Sequence, residues 1–169
     1  MKKMIALMLV LALAVSMAAC GGKSTAKTPL AGTMEENALK VMEIAPVEFM
    51  GSCIPVDLSD ADAVWYFTGL SDASKVTDVA VYESMMGSQA FSLILARVAD
   101  AGDAEAVAKE MTDNIDTRKW ICVGADEKIV AGYGDTVMLI MLDSQLGLKA
   151  QSYVDAFKTV CGGELDFTI

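Results

Sequence analysis

Histidine is absent from this chain of 169 residues, and two common signatures of catalysis are absent with it. Without histidine there is no Ser-His-Asp or Cys-His mechanism, and the imidazole ligand that zinc, copper and haem most often use is missing. Neither a G-x-S-x-G motif nor a Walker loop occurs in the sequence. We therefore predict no cofactor, no metal site and no catalytic residues.

Basic residues are scarce relative to acidic ones. The chain has 13 Lys and Arg against 23 Asp and Glu, a formal net charge of −10. Lys2 and Lys3 belong to an N-terminal leader, and without them 11 basic residues face the same 23 acidic ones, a net charge of −12. Binding to nucleic acid or to anionic headgroups requires clustered Lys and Arg. The sequence excludes nucleic acid as a partner.

A long apolar run lies at the start of the chain. Lys2 and Lys3 precede the apolar residues 4–15, and small residues then lead up to Cys20. This order is typical of a secretory signal peptide. About sixteen residues separate Lys3 from Cys20, fewer than the roughly 20 that a membrane-spanning helix needs. We predict that residues 1–19 are a lipoprotein signal peptide.

Cys20 is the predicted lipidation site. Its thiol is expected to take a diacylglycerol before the leader is cut, and two acyl chains hold a protein stably on a membrane. The predicted partner is thus the lipid bilayer, through acylated Cys20, and the predicted location is the outer face of the cytoplasmic membrane. An alternative stays open, since Ser16 and Ala18 also fit a general signal-peptidase site of ordinary secretion.

The rest of the chain divides into a tether and one domain. Residues 20–32 are small or polar and include Pro29, so we predict a flexible spacer. Residues 33–169 are enough to bury a core without metal or disulfides. Two helices are expected first: one opened by a capping box at Thr33 and Glu36 and ended before Pro46, and one opened by a similar pattern at residues 59–62 (SDAD) and ended at Gly69.

After these helices, apolar residues recur first with the spacing of strands and then with the spacing of a helix, and this pattern occurs twice. The segments are strands 76–83 and 89–98, helix 104–117, strands 128–133 and 136–142, and helix 149–161. This ββαββα order predicts an α+β domain with an antiparallel sheet of about four strands and both long helices on one face.

The strands 89–98 and 136–142 are apolar on both of their faces. A solvated face would carry alternate polar residues, so the second face also requires a cover. The N-terminal helices and a second copy of the chain both remain candidates, and the second candidate predicts a homodimer.

Several hydrophobic segments resemble one known family. Residues 79–86 (VAVYESMM), 91–97, 119–123 (KWICV) and 130–142 are similar to the lipoprotein-borne domain of unknown function 4358 of Gram-positive bacteria. The resemblance covers about residues 56–162. It implies an extracytoplasmic lipoprotein without an established activity, and it supplies no catalytic residues.

The connection between the first two long strands carries an adjacent pair of methionines, Met85 and Met86. A hairpin connection is normally polar and exposed, so two thioethers there indicate a contact surface, with Tyr82 or Trp65 as a neighbour if the fold brings them near. Burial of both methionines under the loop is the alternative.

Three cysteines remain besides Cys20. We expect Cys122 in an apolar strand and Cys161 on the inward side of the last helix, which makes them candidate disulfide partners. Buried, reduced thiols at Cys53, Cys122 and Cys161 are the alternative.

These observations favour a non-catalytic binding or interaction module, with an unknown protein or small molecule as its partner. Two other functions stay open. A solute-capturing lipoprotein would need a concave pocket with convergent polar groups, and a carboxylate-dependent hydrolase would need two carboxylates facing one cleft.

Overall fold

The computed structural model describes residues 27–169, so the predicted leader, Cys20 and the first part of the tether lie outside the described residues. The described chain is an α+β domain with one antiparallel sheet. Its helices are α1 (Met34–Ile44), α2 (Ala61–Thr68), α3 (Ala104–Asn114) and α4 (Ala150–Cys161), and its strands are β1 (Gly51–Pro55), β2 (Val76–Ser84), β3 (Phe91–Val98), β4 (Glu127–Tyr133), β5 (Thr136–Leu142) and β6 (Phe167–Thr168).

The sheet has the order β1-β2-β3-β5-β4-β6, and every neighbouring pair is antiparallel. The hairpins β2–β3 and β4–β5 meet at the centre, where Ile94 lies opposite Val81 on one side and Leu139 on the other. All seven residues of β5 are buried. The long strands follow from the period-2 apolar pattern, which places successive side chains on opposite faces.

The predicted count of four strands is wrong, because the sheet has a short strand at each edge. β1 has five residues and ends in Pro55, and β6 has two residues. Neither contains an apolar alternation long enough to indicate a strand. Short edges of this kind, one of them with proline, also limit pairing with other chains.

Helices cover both faces of the sheet. On the first face, α1 and α4 pack on one side of the central strands, with Met34, Val41, Phe91, Tyr153 and Phe157 in the core. The second face is covered by α2 and α3, with a core that includes Val64, Val81, Ile94, Val107 and Met111. The expected second cover is therefore present within the chain, and each face is shared by one N-terminal helix and one later helix.

The two long helices α3 and α4 lie on opposite faces, which corrects the prediction that both lie on one face. α3 connects β3 to β4 and α4 connects β5 to β6, and both connections step the same way across the sheet. β3 and β5 run in opposite directions. Crossovers of the same hand must then fall on opposite faces, and crossovers in sheets are right-handed in about 98% of cases.

The capping box at the start of α1 and the glycine that ends α2 are confirmed, whereas α2 is capped by Asp60 and not by Ser59. Thr33 and Glu36 form both hydrogen bonds of a capping box at the start of α1, and Asp60 accepts from two amides at the start of α2. Gly69 ends α2 in the left-handed conformation, with φ of 74°. Asp103 precedes α3 but makes no side-chain cap; it pairs with Lys75 instead.

Residues 27–32, the last part of the predicted tether, are bound to the domain. Lys27 pairs with Asp166 at 2.7 Å and lies 4.5 Å from the centre of the Tyr133 ring. Arg97 donates to the carbonyls of Leu30 and Gly32 at 2.6 and 3.0 Å. These contacts fix the point where the described chain begins at one end of the sheet, which we call the Lys27 end.

Across residues 27–169, we find no helix with the length and apolar character that crossing a membrane requires.

Candidate functional site: an apolar surface at the loop end

The end of the sheet opposite Lys27 is formed by four loops, 45–50, 85–90, 115–126 and 143–149, and we call it the loop end. β5 has seven residues, so the two ends are about 20 Å apart along the strands. The loop end contains Met85 and Met86, which the sequence identified as a candidate contact surface.

Four large apolar side chains are exposed at the loop end, and we call them the loop-end patch. Their exposed fractions are 73% for Met50, 65% for Met85, 54% for Met86 and 72% for Ile121. Both methionines of the hairpin connection are therefore exposed, and they do not tuck under the loop. Exposed apolar groups that cluster in this way mark interaction sites more often than scattered ones do.

Backbone hydrogen bonds between loops bring the patch together. The Met85 amide donates to the Met50 carbonyl at 2.9 Å, and the Ile121 amide donates to the Gly87 carbonyl at 2.8 Å. Gly87 lies close under Ile121, since a Cβ at position 87 would be 3.3 Å from Ile121 Cδ1. Three loops that are distant in sequence thus present one surface.

The turn that carries the two methionines satisfies its own polar groups. The Met86 amide donates to Ser84 Oγ at 3.1 Å, and the Ser84 hydroxyl donates to Gln89 Oε1 at 2.8 Å. The Gln89 amide closes the turn by donating to the Met86 carbonyl at 3.0 Å. The thioethers are therefore presented on a turn with a defined hydrogen-bond pattern.

Tyr82 does not belong to the patch. Its side chain lies on the first face, half-buried, with its ring 6.2 Å from that of Phe91. A Cβ at Gly51 would be 2.3 Å from Tyr82 Cε1, so the ring covers the start of β1. Trp65 is half exposed on α2, and it is the next residue, Tyr66, that contacts the loop 115–126.

A buried lysine lies beside the patch. Lys119 has a side chain that is 2% exposed, and its Nζ is 2.5 Å from Oε1 of Glu83, whose side chain is 13% exposed. The same Nζ lies 4.8, 5.4 and 5.5 Å from the ring centres of Tyr66, Phe67 and Trp120. Aromatic faces attract a cation over such distances.

Burial lowers the pKa of Lys119, and attraction to Glu83 and Asp116 opposes that shift. Burial also raises the pKa of Tyr66, with smaller contributions from Glu83 and Asp116. Ser92 adds a hydroxyl that donates to Glu83 Oε1 at 2.8 Å. The ion pair ties the loop 115–126 to the end of β2, immediately before Met85.

Sequence reasoning missed this ion pair, because Lys119 and Glu83 belong to segments far apart in the chain. A lysine within the apolar run 119–123 was the available signal, since lysine is almost never fully buried unless it is paired.

The cysteines of the described chain are free. Cys122 lies in a loop and not in the expected strand; it is exposed at the loop end, with φ of 62°, whereas Cys161 is buried near Lys27 at the other end. A disulfide requires the Cα atoms of its two cysteines to lie within about 7 Å of each other. Cys122 and Cys161 lie at opposite ends of the sheet, so the candidate disulfide between them is not formed. Burial raises the pKa of Cys161 to about 12 and that of Cys53 to about 11.

Several carboxyl groups are held in local hydrogen bonds. The hydroxyl and amide groups of Ser59, Ser74 and Ser144 lower the pKa values of Asp57, Asp72 and Asp126, respectively. At Asp166 burial opposes ionisation, but hydrogen bonds from Lys27 and the Gly134 amide prevail and lower the pKa. Within residues 27–169, no group of three or more Cys, Asp or Glu residues is arranged to hold a metal ion.

Two surface clefts flank the ends of the sheet. One, of about 460 Å³, lies at the Lys27 end and is lined by Lys27, Glu105, Asp135, Asp166 and Phe167, among others. The second, of about 520 Å³, lies at the loop end between Pro46, Glu48, Phe49, Gln89 and Leu146.

Comparisons with known protein families, with curated proteins and with solved structures found no match to this chain.

Proposed function

We propose that this chain is a lipid-anchored extracytoplasmic lipoprotein that binds a protein partner through the loop-end patch, without catalysis. The observation that carries the proposal is the meeting of Met50, Met85, Met86 and Ile121, from three loops, on one exposed surface. The resemblance to the domain of unknown function 4358 fits the same proposal, since it implies an extracytoplasmic lipoprotein.

The position of the patch suits an anchored protein. The chain leads from Cys20 to the Lys27 end, where Arg97 and Asp166 hold residues 27–32. The patch lies at the opposite end of the sheet. Attachment to the bilayer therefore leaves the patch free to meet another protein.

The chemistry of the patch suits a protein surface better than a small solute. A solute site needs a few convergent polar groups within a concave pocket. The hydrogen bonds of the 84–89 turn are made within the turn, and the groups exposed beside it are thioethers and an isoleucine. Methionine side chains adapt to irregular partner surfaces, as they do in other protein-binding sites.

The hydrolase alternative has less support. A catalytic acid needs a raised pKa at neutral pH. The local hydrogen bonds of Asp57, Asp72, Asp126 and Asp166 shift their pKa values downward, which keeps them ionised. Such carboxylates stabilise turns and ion pairs.

The binding proposal is tested by purifying the lipidated protein from its own membranes after chemical crosslinking. Met85→Gln combined with Ile121→Gln should reduce recovery of the partner by at least about tenfold, because anchors near the centre of an interface carry most of the binding energy. The matched control is Leu39→Gln with Ile44→Gln, which removes exposed apolar groups from α1. Equal recovery with the patch variant, or a bound small molecule with no protein partner, would contradict the proposal.

The anchor is tested separately with Cys20→Ala. This variant should leave the membrane fraction, and the wild-type N-terminus should carry acyl chains in mass spectrometry. Membrane retention of Cys20→Ala together with an unacylated wild-type N-terminus would contradict lipidation.

A further inference from the structure

We infer that the partner of the loop-end patch presents an apolar centre flanked by lysine or arginine. This inference rests on the proposed function, and it adds the chemical class of the partner. The charges of the four loops at this end of the sheet support it.

Carboxylates predominate in the four loops of the loop end. Glu48 lies two residues before Met50, and Asp116 and Asp126 are exposed within the loop that carries Ile121. Asp143, half-buried, opens the fourth loop of the same end.

The basic residues of the loop end are mostly neutralised. Lys119 is buried against Glu83, and Lys149 lies 3.5 Å from Glu127. Outside these two ion pairs, Arg118 is the basic residue of the four loops, against the four carboxylates. An apolar centre with an acidic rim complements an apolar centre with a basic rim.

The same charges disfavour two other occupants. A second copy would bring two acidic loop ends together, and like charges facing each other at an interface cost free energy. An anionic membrane surface would be repelled by the same rim. Neither objection applies to a basic protein segment.

The test uses the full mature lipoprotein in nanodiscs of a zwitterionic lipid. Three synthetic peptides serve as probes: they share one core of leucine and phenylalanine and carry lysine, serine or glutamate flanks. Binding is measured by fluorescence anisotropy, and the amide resonances of Met50, Met85 and Ile121 report where each peptide binds. The lysine-flanked peptide should bind at least about tenfold more tightly than the glutamate-flanked one at low salt. This preference should shrink at about 1 M salt, where the Debye length falls to roughly 3 Å.

Charge reversal supplies the matched variants. Glu48→Lys with Asp116→Lys should remove or invert the preference between the peptides, whereas Glu105→Lys with Asp155→Lys, away from the loop end, should leave it unchanged. Circular dichroism checks that each variant is folded. The salt dependence of the wild-type protein is an independent measurement, so an unfolded variant does not leave the inference untested.

Equal binding of the three peptides, or no binding of the lysine-flanked peptide, would overturn the inference. Concentration-dependent self-association that Met85→Gln abolishes would overturn it too, since the occupant would then be a second copy. If partner recovery from native membranes still depends on the patch, the proposed function stands while the basic partner is rejected.

Discussion

The ammonium of Lys119 is 2.5 Å from the carboxylate of Glu83, in a site where only 2% of the lysine side chain is exposed. Each charge depends on the other, because an isolated ion in such a site carries a desolvation penalty of several kcal/mol. The pair also joins a loop to a strand end at the place where the patch begins. Its removal should therefore affect both stability and binding.

Removing one partner of this ion pair should lower the free energy of unfolding more than removing both partners does. Lys119→Met leaves a buried carboxylate without its cation, and we expect it to lower the free energy of unfolding by about 3 kcal/mol. Lys119→Met combined with Glu83→Gln should be less destabilised than Lys119→Met alone. Urea unfolding of the wild type, both single variants and the double variant measures the coupling. If the effect of the double variant equals the sum of the two single effects to within about 0.5 kcal/mol, the two residues are not coupled and the prediction is wrong.

Gly69 should tolerate alanine much less well than Gly147. Both glycines have a left-handed φ, 74° at Gly69 and 72° at Gly147. A Cβ at position 69 would lie 2.6 Å from the Ile115 amide nitrogen, whereas no atom lies within 4 Å of a Cβ at position 147. Gly147→Ala should lower the free energy of unfolding by about 1 kcal/mol, from backbone strain alone. Gly69→Ala should lower it clearly more, because the steric clash with Ile115 adds to the strain. Thermal unfolding of the two variants checks the order, and equal melting temperatures would show that the contact with Ile115 is unimportant.

Thiol reagents should distinguish the cysteines in the folded protein. Cys122 is exposed, while burial raises the pKa values of Cys53 and Cys161 to about 11 and 12 and keeps their thiols protonated. Because the thiolate is the nucleophile, Cys122 should react with a maleimide first at pH 8. Peptide mapping after brief labelling of the Cys20→Ala variant identifies the site, and Cys122→Ser is its control. Equally rapid labelling of Cys161 would contradict its burial.

Alkaline pH should destabilise the domain through the same buried thiols. The folded-state pKa values of Cys53 and Cys161 lie above the ordinary value of 9.0, so the stability associated with them is complete below pH 9. It is lost as the pH rises from 9 towards 11 and 12. Tyr153, with a pKa raised by burial to about 12 from 10.0, adds to the loss at the upper end. Urea unfolding at several pH values measures the slope, and Cys161→Ala should make it shallower. An unchanged slope in that variant would assign the effect to other groups.

The sequence was sufficient to predict local structure where a local signal exists. The four long strands and the capping box at Thr33 follow from period-2 alternation and from side chains that satisfy first-turn amides. The choice of face for α3 and α4 has no such signal, because β3 and β5 are apolar on both sides. That choice depends on the order of strands across the sheet, which is a property of the whole chain.

The candidate site was predicted only in part for the same reason. Met85 and Met86 stand in one loop, and their unusual position was visible in the sequence. Met50 and Ile121 join them through hydrogen bonds between distant loops. Tyr82 follows Ala80 by two residues in β2, so both side chains point to the first face of the sheet and Tyr82 packs against the core there. The register of β1 on β2 brings Met50 beside Met85, and the hydrogen bond from Ile121 to Gly87 adds Ile121; neither is visible in the sequence.

The attachment of residues 27–32 to Arg97 and Asp166 sets how far the domain can range from a lipid at Cys20. Seven residue steps separate Cys20 from Lys27, a reach of at most about 25 Å in a fully extended chain. If Cys20 carries the proposed lipid, the domain stays within such a thin layer and meets other proteins of the same membrane at an effective concentration on the order of millimolar. At that concentration even a weak affinity is enough for a membrane-bound partner to occupy the loop-end patch. Partners free in solution, at lower concentration, would compete poorly for it.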